Sequence, residues 1–553
     1  MADTPNNKII AVIMCDLDRA PLGGRSRLLA DFHGRPLLHH TVAAACAAPS
    51  IAQVTLLCPE AQAQWLRNSI QDVAWPRPVD VLPVASRSPG HRAAEVGRCW
   101  NMTSWRGGAG DWTVFDEDYH PQGVKLAATL HSAAHVLTLP AHAALADPQL
   151  LEHLLRHHVL NNHSFQLSFL PAAPGLAALA LRRALVEQLA VADWLPGRVM
   201  AYRPSEPVFD MLGQDASAPV DPLVARLRRR LLLDSDRAWA LAAAINPADH
   251  RGAAEVCRRV AAADEAEAFG HPQELEIELT TQRLTHPPGD ITEAARALRP
   301  PWGAKEWQRL LEREHLPDDT LMTFGGDGDP LLFGDAAEFS RLAAAVRAAG
   351  ALGISLKTDL IENIGTILAA AQAGNMDVVS VMYYGNDAAT YQRVAGVDCF
   401  AQVTANMERL LDFQRQNGGL PIVVPKLLKV RETLGQLEPF FDKWVERVGW
   451  ACLDYPTDRA GAVPFAGVMN MAPPLRKPCR RIFQQLLLSA DGRVAACDQD
   501  MLRTIDAGAG LVGGADIQSV WKGRPLRELR TVHRENRWQE IGVCAACREW
   551  HRA

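Results

Sequence analysis

A chain of 553 residues exceeds one ordinary core, and at about 100–200 residues per domain it implies three or four. Its 48% hydrophobic and 22% charged residues exclude a disordered chain. A net charge of −6, from 57 basic and 63 acidic residues, argues against a general nucleic-acid or anionic-membrane binder, and eleven cysteines are too few and odd in number for a disulfide scaffold.

The N-terminus, MADTPNNKIIAVIMCDLD, lacks the pattern of a signal peptide, and no run of about 18 uncharged apolar residues follows. The expectation is a soluble, cytoplasmic protein without membrane insertion, in which thiols stay reduced. In the first 230 residues apolar runs at 9–14 (IIAVIM), 54–58 (VTLLC) and 136–139 (VLTL) alternate with helical patterns at 37–48 and 148–159. That alternation predicts an α/β domain with a mixed or mainly parallel sheet. Residues 231–270, within a helical stretch broken at Asn246-Pro247, read as a helical connector. Strands at 275–281, 320–324, 354–357, 377–382 and 421–424 then alternate with helices at 338–349, 363–373 and 402–416. Repeating β–α units over 271–475 predict a full or partial (β/α) barrel. A small domain with different chemistry is expected over 476–553.

Four cysteines, Cys479, Cys497, Cys544 and Cys547, fall in that last segment, where uniform scattering would place roughly 1.5. Cys544-Ala-Ala-Cys547 lets two thiolates face one ion or cluster. Between Cys479 and Cys497, LLLSADGRVAAC reads as strand, Asp491-Gly492 turn, strand. The hairpin would return Cys497 towards Cys479. Four thiolates can hold one iron–sulfur cluster or one structural zinc, and sulfur ligands alone do not decide between them.

The pattern of Cys479, twelve residues, Gly492, four residues, Cys497, then Cys544-x-x-Cys547, resembles the SPASM or twitch auxiliary-cluster domains of radical SAM enzymes. CDQD and ADIQSVWKGRPLRELR agree with it. The resemblance implies one cluster, a [4Fe–4S] in the first instance, with zinc as the alternative. Upstream, TFGGDGDPLLF resembles the glycine-rich segment of radical SAM enzymes that holds the amino group of S-adenosylmethionine. Gly326, Gly328, Asp329 and Pro330 match it, with Asp in place of Glu, although an ordinary βα turn also reads this way. ISLKTDL and VVSVMYYGNDAATYQRVAG resemble the third- and fourth-strand segments, with Asp359 and Leu360 departing from the former. The C-x-x-x-C-x-x-C loop after the first strand is absent. Its place holds Gln282-Arg283-Leu284-Thr285-His286-Pro287-Pro288-Gly289, and no two cysteines of the chain stand four apart. His286 could supply at most one ligand, so conventional S-adenosylmethionine cleavage is not expected.

The N-terminal stretch RLLADFHGRPLLHHTV resembles sugar nucleotidyltransferases, with Arg27 at the usual Lys and Gly34, Arg35, Pro36 and Leu37 at Gly-Lys-Pro-Leu. The resemblance would make Arg25 and Arg27 nucleotide contacts. Asp16 and Asp18 stand at the loop entrance, where they repel phosphate. The metal-bearing Asp expected after the central strand falls near His142, and a second acidic segment reads Gly175-Leu176-Ala177-Ala178-Leu179. Residues 103–121 read either as a binding loop using Arg106, Asp116 and Glu117 or as an aromatic-anchored surface loop. The pairs His39/His40 and His157/His158 read as solvated or capped.

Together the segments resemble the spiro-SPASM arrangement, in which a nucleotidyltransferase-like region precedes a radical-SAM-like barrel and a SPASM end. The leading expectation is an iron–sulfur-binding protein with two degenerate catalytic modules. It would serve electron transfer, docking or recognition with an unidentified small-molecule or protein partner in a surface-polysaccharide or peptide-modification system. An active nucleotidyltransferase using Asp16, Asp18 or Asp116 and a zinc-stapled interaction protein remain the alternatives.

Overall fold

The computed structural model describes residues 8–85, 89–110, 112–202, 204, 216–247, 252–263, 269–508, 511 and 514–552. The chain divides into two compact units, Met1–Asp264 and Glu265–Ala553.

In the first unit, strand β1 (Ile9–Met14) is wholly buried. Asp31–Phe32 (β2) and Arg35–Pro36 (β3) form a minimal hairpin before the helix Leu37–Ala47. Strands β4 (Ile51–Pro59), β5 (Val79–Val84), β6 (His135–Pro140), β7 (Leu167–Phe169) and β8 (Leu179–Arg182) complete a six-stranded sheet in the order β5-β4-β1-β6-β8-β7. Pairing is parallel from β5 through β6 and antiparallel on both sides of β8. The sheet is therefore mixed. Ile9, Ala11 and Ile13 enter one apolar cluster and Ile10, Val12 and Met14 another, as the two-residue period of a strand covered on both faces requires.

Residues 231–247 and 252–263 of the stretch expected as a connector are folded into this unit. The helices of that stretch are short, Asp236–Ala242 and Ala253–Ala262, and residues 248–251 lie outside the described residues. Leu231, Leu233, Ile245, Val256 and Val260 belong to the first unit's core. Arginine and alanine content signals helix but not where the helix packs.

In the second unit, β9 (Glu274–Ile277), β10 (Leu321–Phe324), β11 (Gly353–Thr358), β12 (Val378–Tyr383), β13 (Ile422–Leu428) and β14 (Cys452–Asp454) pair in parallel in chain order. The antiparallel hairpin β15 (Gln485–Leu488) and β16 (Val494–Ala495) joins this sheet, with β15 parallel to β9 and Leu487 opposite Glu276. The resulting eight-stranded sheet is open, with β14 and β16 at its edges. Of the full or partial barrel expected, the parallel strands in chain order form, but the sheet does not close. β15 occupies the side of β9 that ring closure would need, and β–α repetition in a sequence cannot say whether the last strand reaches the first. Val379, Val381 and Tyr383 of β12 are buried in the core, whereas the alternate residues Ser380 and Met382 are only half-buried. Helices such as Ala336–Ala348, closed by a capping box between Asp335 and Glu338, cover the core face.

Among the described residues, no helix is long and apolar enough to cross a membrane.

Candidate metal centre

The hairpin forms where the sequence requires it. Gly492 takes φ +76°, and a Cβ there would lie 1.9 Å from Cζ2 of Trp302, so both conformation and space demand glycine. Cys479 precedes the short helix Arg481–Gln484 that leads into β15, and Cys497 follows β16. Cys544 lies in the helix Gly542–Ala546, with Cys547 at its C-terminal cap.

All four thiols are free; Cys479 is buried, and Cys497, Cys544 and Cys547 are half-buried. Burial, followed by the negative charge of Cys479 and Cys547, pushes the Cys544 thiol up to about 12. Burial also pushes Cys547 up to about 11, with Cys479 opposing its ionisation. Cys497 is held well above its ordinary value by burial, Asp498 and Cys479. Cys479 is thus within Coulombic reach of the other three. Without a cation the four hold their protons; iron or zinc would displace those protons and offset the mutual repulsion. The donor set therefore fits a thiolate-ligated group. Among the described residues, however, no three Cys, His, Asp or Glu side chains converge as a ready site for a single ion.

Cations border the cysteines. Arg481 interacts with Cys497, Cys479 and Cys547, after its larger attraction to Asp498, and donates from Nε to the carbonyl of Arg552 at 2.8 Å. Arg476 Nη2 donates to the Cys544 carbonyl at 2.6 Å, and its guanidinium lies 5.1 Å from the Trp538 ring centre. His533 was invisible to motif spacing. It sits in the last turn of the helix Arg524–Arg534, with Nδ1 at 3.3 Å from the Cys479 amide and Nε2 at 3.4 Å from Cys544 Sγ.

The loop that lacks three cysteines is filled by a polar lock. Arg283 forms a two-pronged ion pair with Asp359, Nε to Oδ2 at 2.9 Å and Nη2 to Oδ1 at 2.7 Å. Thr285 Oγ1 and the Tyr384 hydroxyl donate to the same carboxylate at 2.6 and 2.7 Å. Asp359, a departure from the third-strand pattern that this segment resembles, thereby binds the cysteine-free loop. Asp329 accepts from Thr358 Oγ1 and the Asp359 amide, each at 2.9 Å, and burial raises its pKa to about 6.

The glycine-rich segment is also occupied from within the chain. The Gly326 amide donates to Glu276 Oε1 at 2.8 Å, the Asp327 amide to Glu278 Oε1 at 3.0 Å, and the Asp329 amide to the Gln282 carbonyl at 2.8 Å. A Cβ at Gly328 would lie 2.2 Å from the Thr280 carbonyl oxygen. Close backbone packing therefore accounts for the glycines, and of the expected cradle of Gly326, Gly328 and Asp329 the Gly326 and Asp329 amides are bonded within the chain. Beneath it lies a network the sequence did not disclose. Glu278 and Arg299, both fully buried, pair at 2.8 Å, while Asp327 pairs with Arg299 at 2.9 Å and Arg459 at 2.7 Å.

In the first unit most of the nucleotidyltransferase-type acids and cations are engaged by other groups of the fold. Asp16 Oδ1 accepts the amides of Asp18 and Arg19 at 2.9 and 3.1 Å, and Gln62 Nε2 donates to both Asp16 and Asp18. Arg25 is exposed, whereas Arg27 pairs with Asp236 at 2.7 Å. Asp116 accepts from Gly197 N at 2.7 Å and Thr113 Oγ1 at 2.9 Å, and burial raises its pKa to about 6. Glu117, fully buried, pairs with Arg98 and Arg230, each at 2.9 Å. Trp105 packs 4.9 Å from Phe169, so the segment 103–121, apart from Asp111 outside the described residues, is anchored inside the unit. Relocated catalytic acids at Asp16, Asp18 or Asp116 are not supported by these engagements.

His39 and His40 are buried on the carbonyls of Ser69 and Phe32, and His158 lies between His135 and Ser168. The solvated reading fails for these three because each ring finds a partner inside. His142, at the expected metal-acid position, is 2% exposed and accepts the Arg27 amide at 3.4 Å. Burial first, then neighbouring cations, lowers His142 to about 4; burial first, then His135, lowers His158 to about 3. As pH falls through 6.5 the unfolded chain protonates these rings before the folded chain does. Their stability contribution is thus present above 6.5 and lost towards pH 4 and pH 3, at about 1.4 kcal/mol per ring per pH unit. The first unit is expected to show a lower urea midpoint at pH 5 than at pH 7.5. An unchanged midpoint contradicts neutral burial of the rings.

Residues 479–548, which include all four cysteines, match the SPASM iron–sulfur cluster-binding domain. An uncharacterized protein of Treponema pallidum (strain Nichols) is 27% identical over 133 residues, 24% of this chain. The chain spans 34% of the length of that curated relative. Among solved structures, BtrN in complex with AdoMet and 2-DOIA aligns with 50% of this chain and 92% of its own, at 14% identity and a TM-score of 0.32. SuiB of Streptococcus suis bound to precursor peptide SuiA aligns with 52% of this chain and 72% of its own, at 12% identity and 0.37. A cytidylyltransferase of Leptospira borgpetersenii aligns with 42% of this chain and 84% of its own, at 12% identity and 0.29.

Proposed function

We propose that the second unit is an iron–sulfur-binding module in which Cys479, Cys497, Cys544 and Cys547 hold one [4Fe–4S] cluster. The observation that carries this reading is the coincidence of the SPASM match over 479–548 with four free thiols in that segment, where His533 reaches both the Cys479 amide and the Cys544 sulfur. When bound, the cluster supplies a one-electron centre within a charged protein surround. The chain's own contribution is to carry the four thiols in one segment, bury Cys479 and set Arg476 and Arg481 beside them.

The Arg283–Asp359 lock, standing where the cluster loop is missing, supports a module that does not cleave S-adenosylmethionine. The proposed role is electron transfer, docking or recognition in a surface-polysaccharide or peptide-modification system, the setting suggested by the resemblances of both units. Eleven free cysteines suit a reducing compartment such as the cytoplasm.

Anaerobic reconstitution of the full chain, followed by iron, sulfide and zinc analysis, tests the reading. About four iron and four sulfide per chain are expected for one cluster. Stoichiometric zinc with no iron overturns it in favour of a zinc-stapled protein.

A further inference from the structure

We propose that His533 is a positioning residue of this centre: its ring joins the backbone of Cys479 to the sulfur of Cys544 and donates an N–H···S hydrogen bond to that sulfur. This inference rests on the cluster reading above and adds to it a residue that tunes the centre.

The tautomer follows from the partners. A backbone amide can only donate, so Nδ1, 3.3 Å from the Cys479 nitrogen, is the acceptor and carries no proton. The ring proton then resides on Nε2, 3.4 Å from Cys544 Sγ, and sulfur is the acceptor in reach. The ring cannot turn away cheaply. It is 1% exposed and leans on Trp538, with ring centres 6.2 Å apart. Trp538 in turn carries the Arg476 guanidinium whose Nη2 donates to the Cys544 carbonyl. Two cysteines far apart in the chain are thus fixed by one side chain that is not itself a ligand. A donor to a cluster thiolate withdraws charge from the sulfur. It stabilises the reduced, more electron-rich state and raises the reduction potential.

The test uses the full chain, reconstituted anaerobically, with iron counted and the potential measured by spectroelectrochemical titration. His533→Asn keeps an acceptor near the position of Nδ1 for the Cys479 amide but has no donor where Nε2 stood. His533→Gln can again extend an N–H towards Cys544. The Asn variant is expected to retain iron and to have a more negative potential. The expected change is tenfold or more in the reduced-to-oxidised ratio at fixed applied potential, about 59 mV for one electron. The Gln variant should return towards wild type. A second measurement needs no substitution: pulsed EPR of the reduced wild-type protein carrying imidazole-15N histidine should show nitrogen coupling from the ring, and its absence overturns the proposal. Iron retained in the Asn variant with unchanged potential overturns the role of His533 and leaves the cluster reading standing. Wild-type protein that takes up no iron overturns the cluster reading itself.

Discussion

Replacing Cys544 and Cys547 together by Ala is expected to reduce bound iron to below about a tenth of the wild-type value and to remove the visible absorbance of the cluster. Only Cys479 and Cys497 would remain, and two thiolates cannot complete a four-thiolate set. The substitution should leave the rest of the second unit folded. Its apolar core runs through β9–β13, β15, β16 and the helices that cover them, and neither Cys544 nor Cys547 belongs to it. Far-ultraviolet circular dichroism of the variant should therefore match that of wild-type protein prepared without metal. The Ala side chains introduce no charge, so loss of iron cannot be ascribed to new repulsion. Unchanged iron and absorbance in the double variant would move the metal to other residues.

Substituting Arg299 by Met is expected to cost the second unit about 3–5 kcal/mol, the range for breaking one partner out of a buried ion pair. Arg299 Nη1 stands 2.8 and 2.9 Å from the two oxygens of Glu278 and 2.9 Å from Asp327 Oδ2, and all three residues are almost entirely buried. Without the guanidinium, Asp327 keeps Arg459 at 2.7 Å, but Glu278 is left with Arg503 at 3.9 Å and two amide donors. Burial and Asp327 already raise the Glu278 pKa, so this carboxylate responds most. For Asp327 burial acts upward, yet Arg459, Arg503 and Arg299 together hold its pKa below the ordinary value. The double change Arg299→Met with Glu278→Gln should recover part of the loss, because it removes the stranded charge. Denaturant titration of the full chain reads both variants; a loss below about 1 kcal/mol for the single change contradicts a network of this kind. The effect should reach the metal centre too. Glu278 Oε2 accepts the Ala490 amide at 3.1 Å in the turn that joins β15 to β16 and returns Cys497. Weaker iron retention in Arg299→Met is the expected companion result.

Local signals were strong where a single segment carried them. IIAVIM could be read as a buried strand because six consecutive apolar residues leave neither face for water, and the structure forms it over Ile9–Met14. The Asp491-Gly492 turn was readable because left-handed backbone favours glycine, and Gly492 takes that conformation. The four cysteines could be grouped by spacing and density. What spacing could not supply was the surround. Arg283, Asp359 and Tyr384 lie far apart in the chain and look unremarkable singly, yet they close the space of the missing loop. Similarly, the segment of Asp116 and Glu117 read either as a binding loop with these acids as polar contacts or as an aromatic-anchored surface loop. Folding instead supplied Arg98, Arg230 and backbone amides to hold them inside.

By itself, the sequence determined the alternation of strands and helices, the hairpin between two cysteines and the lack of a three-cysteine cluster loop. Each of these is a matter of residue type and short-range order. Only the tertiary structure decided that the second sheet stays open with β15 beside β9, that the glycine-rich amides are spent on Glu276 and Glu278, and that His533 reaches two cysteines at once. Those outcomes depend on which distant backbone and side-chain groups meet. Burial fixes that choice by requiring every sheltered donor and charge to find a partner, whatever its distance along the chain.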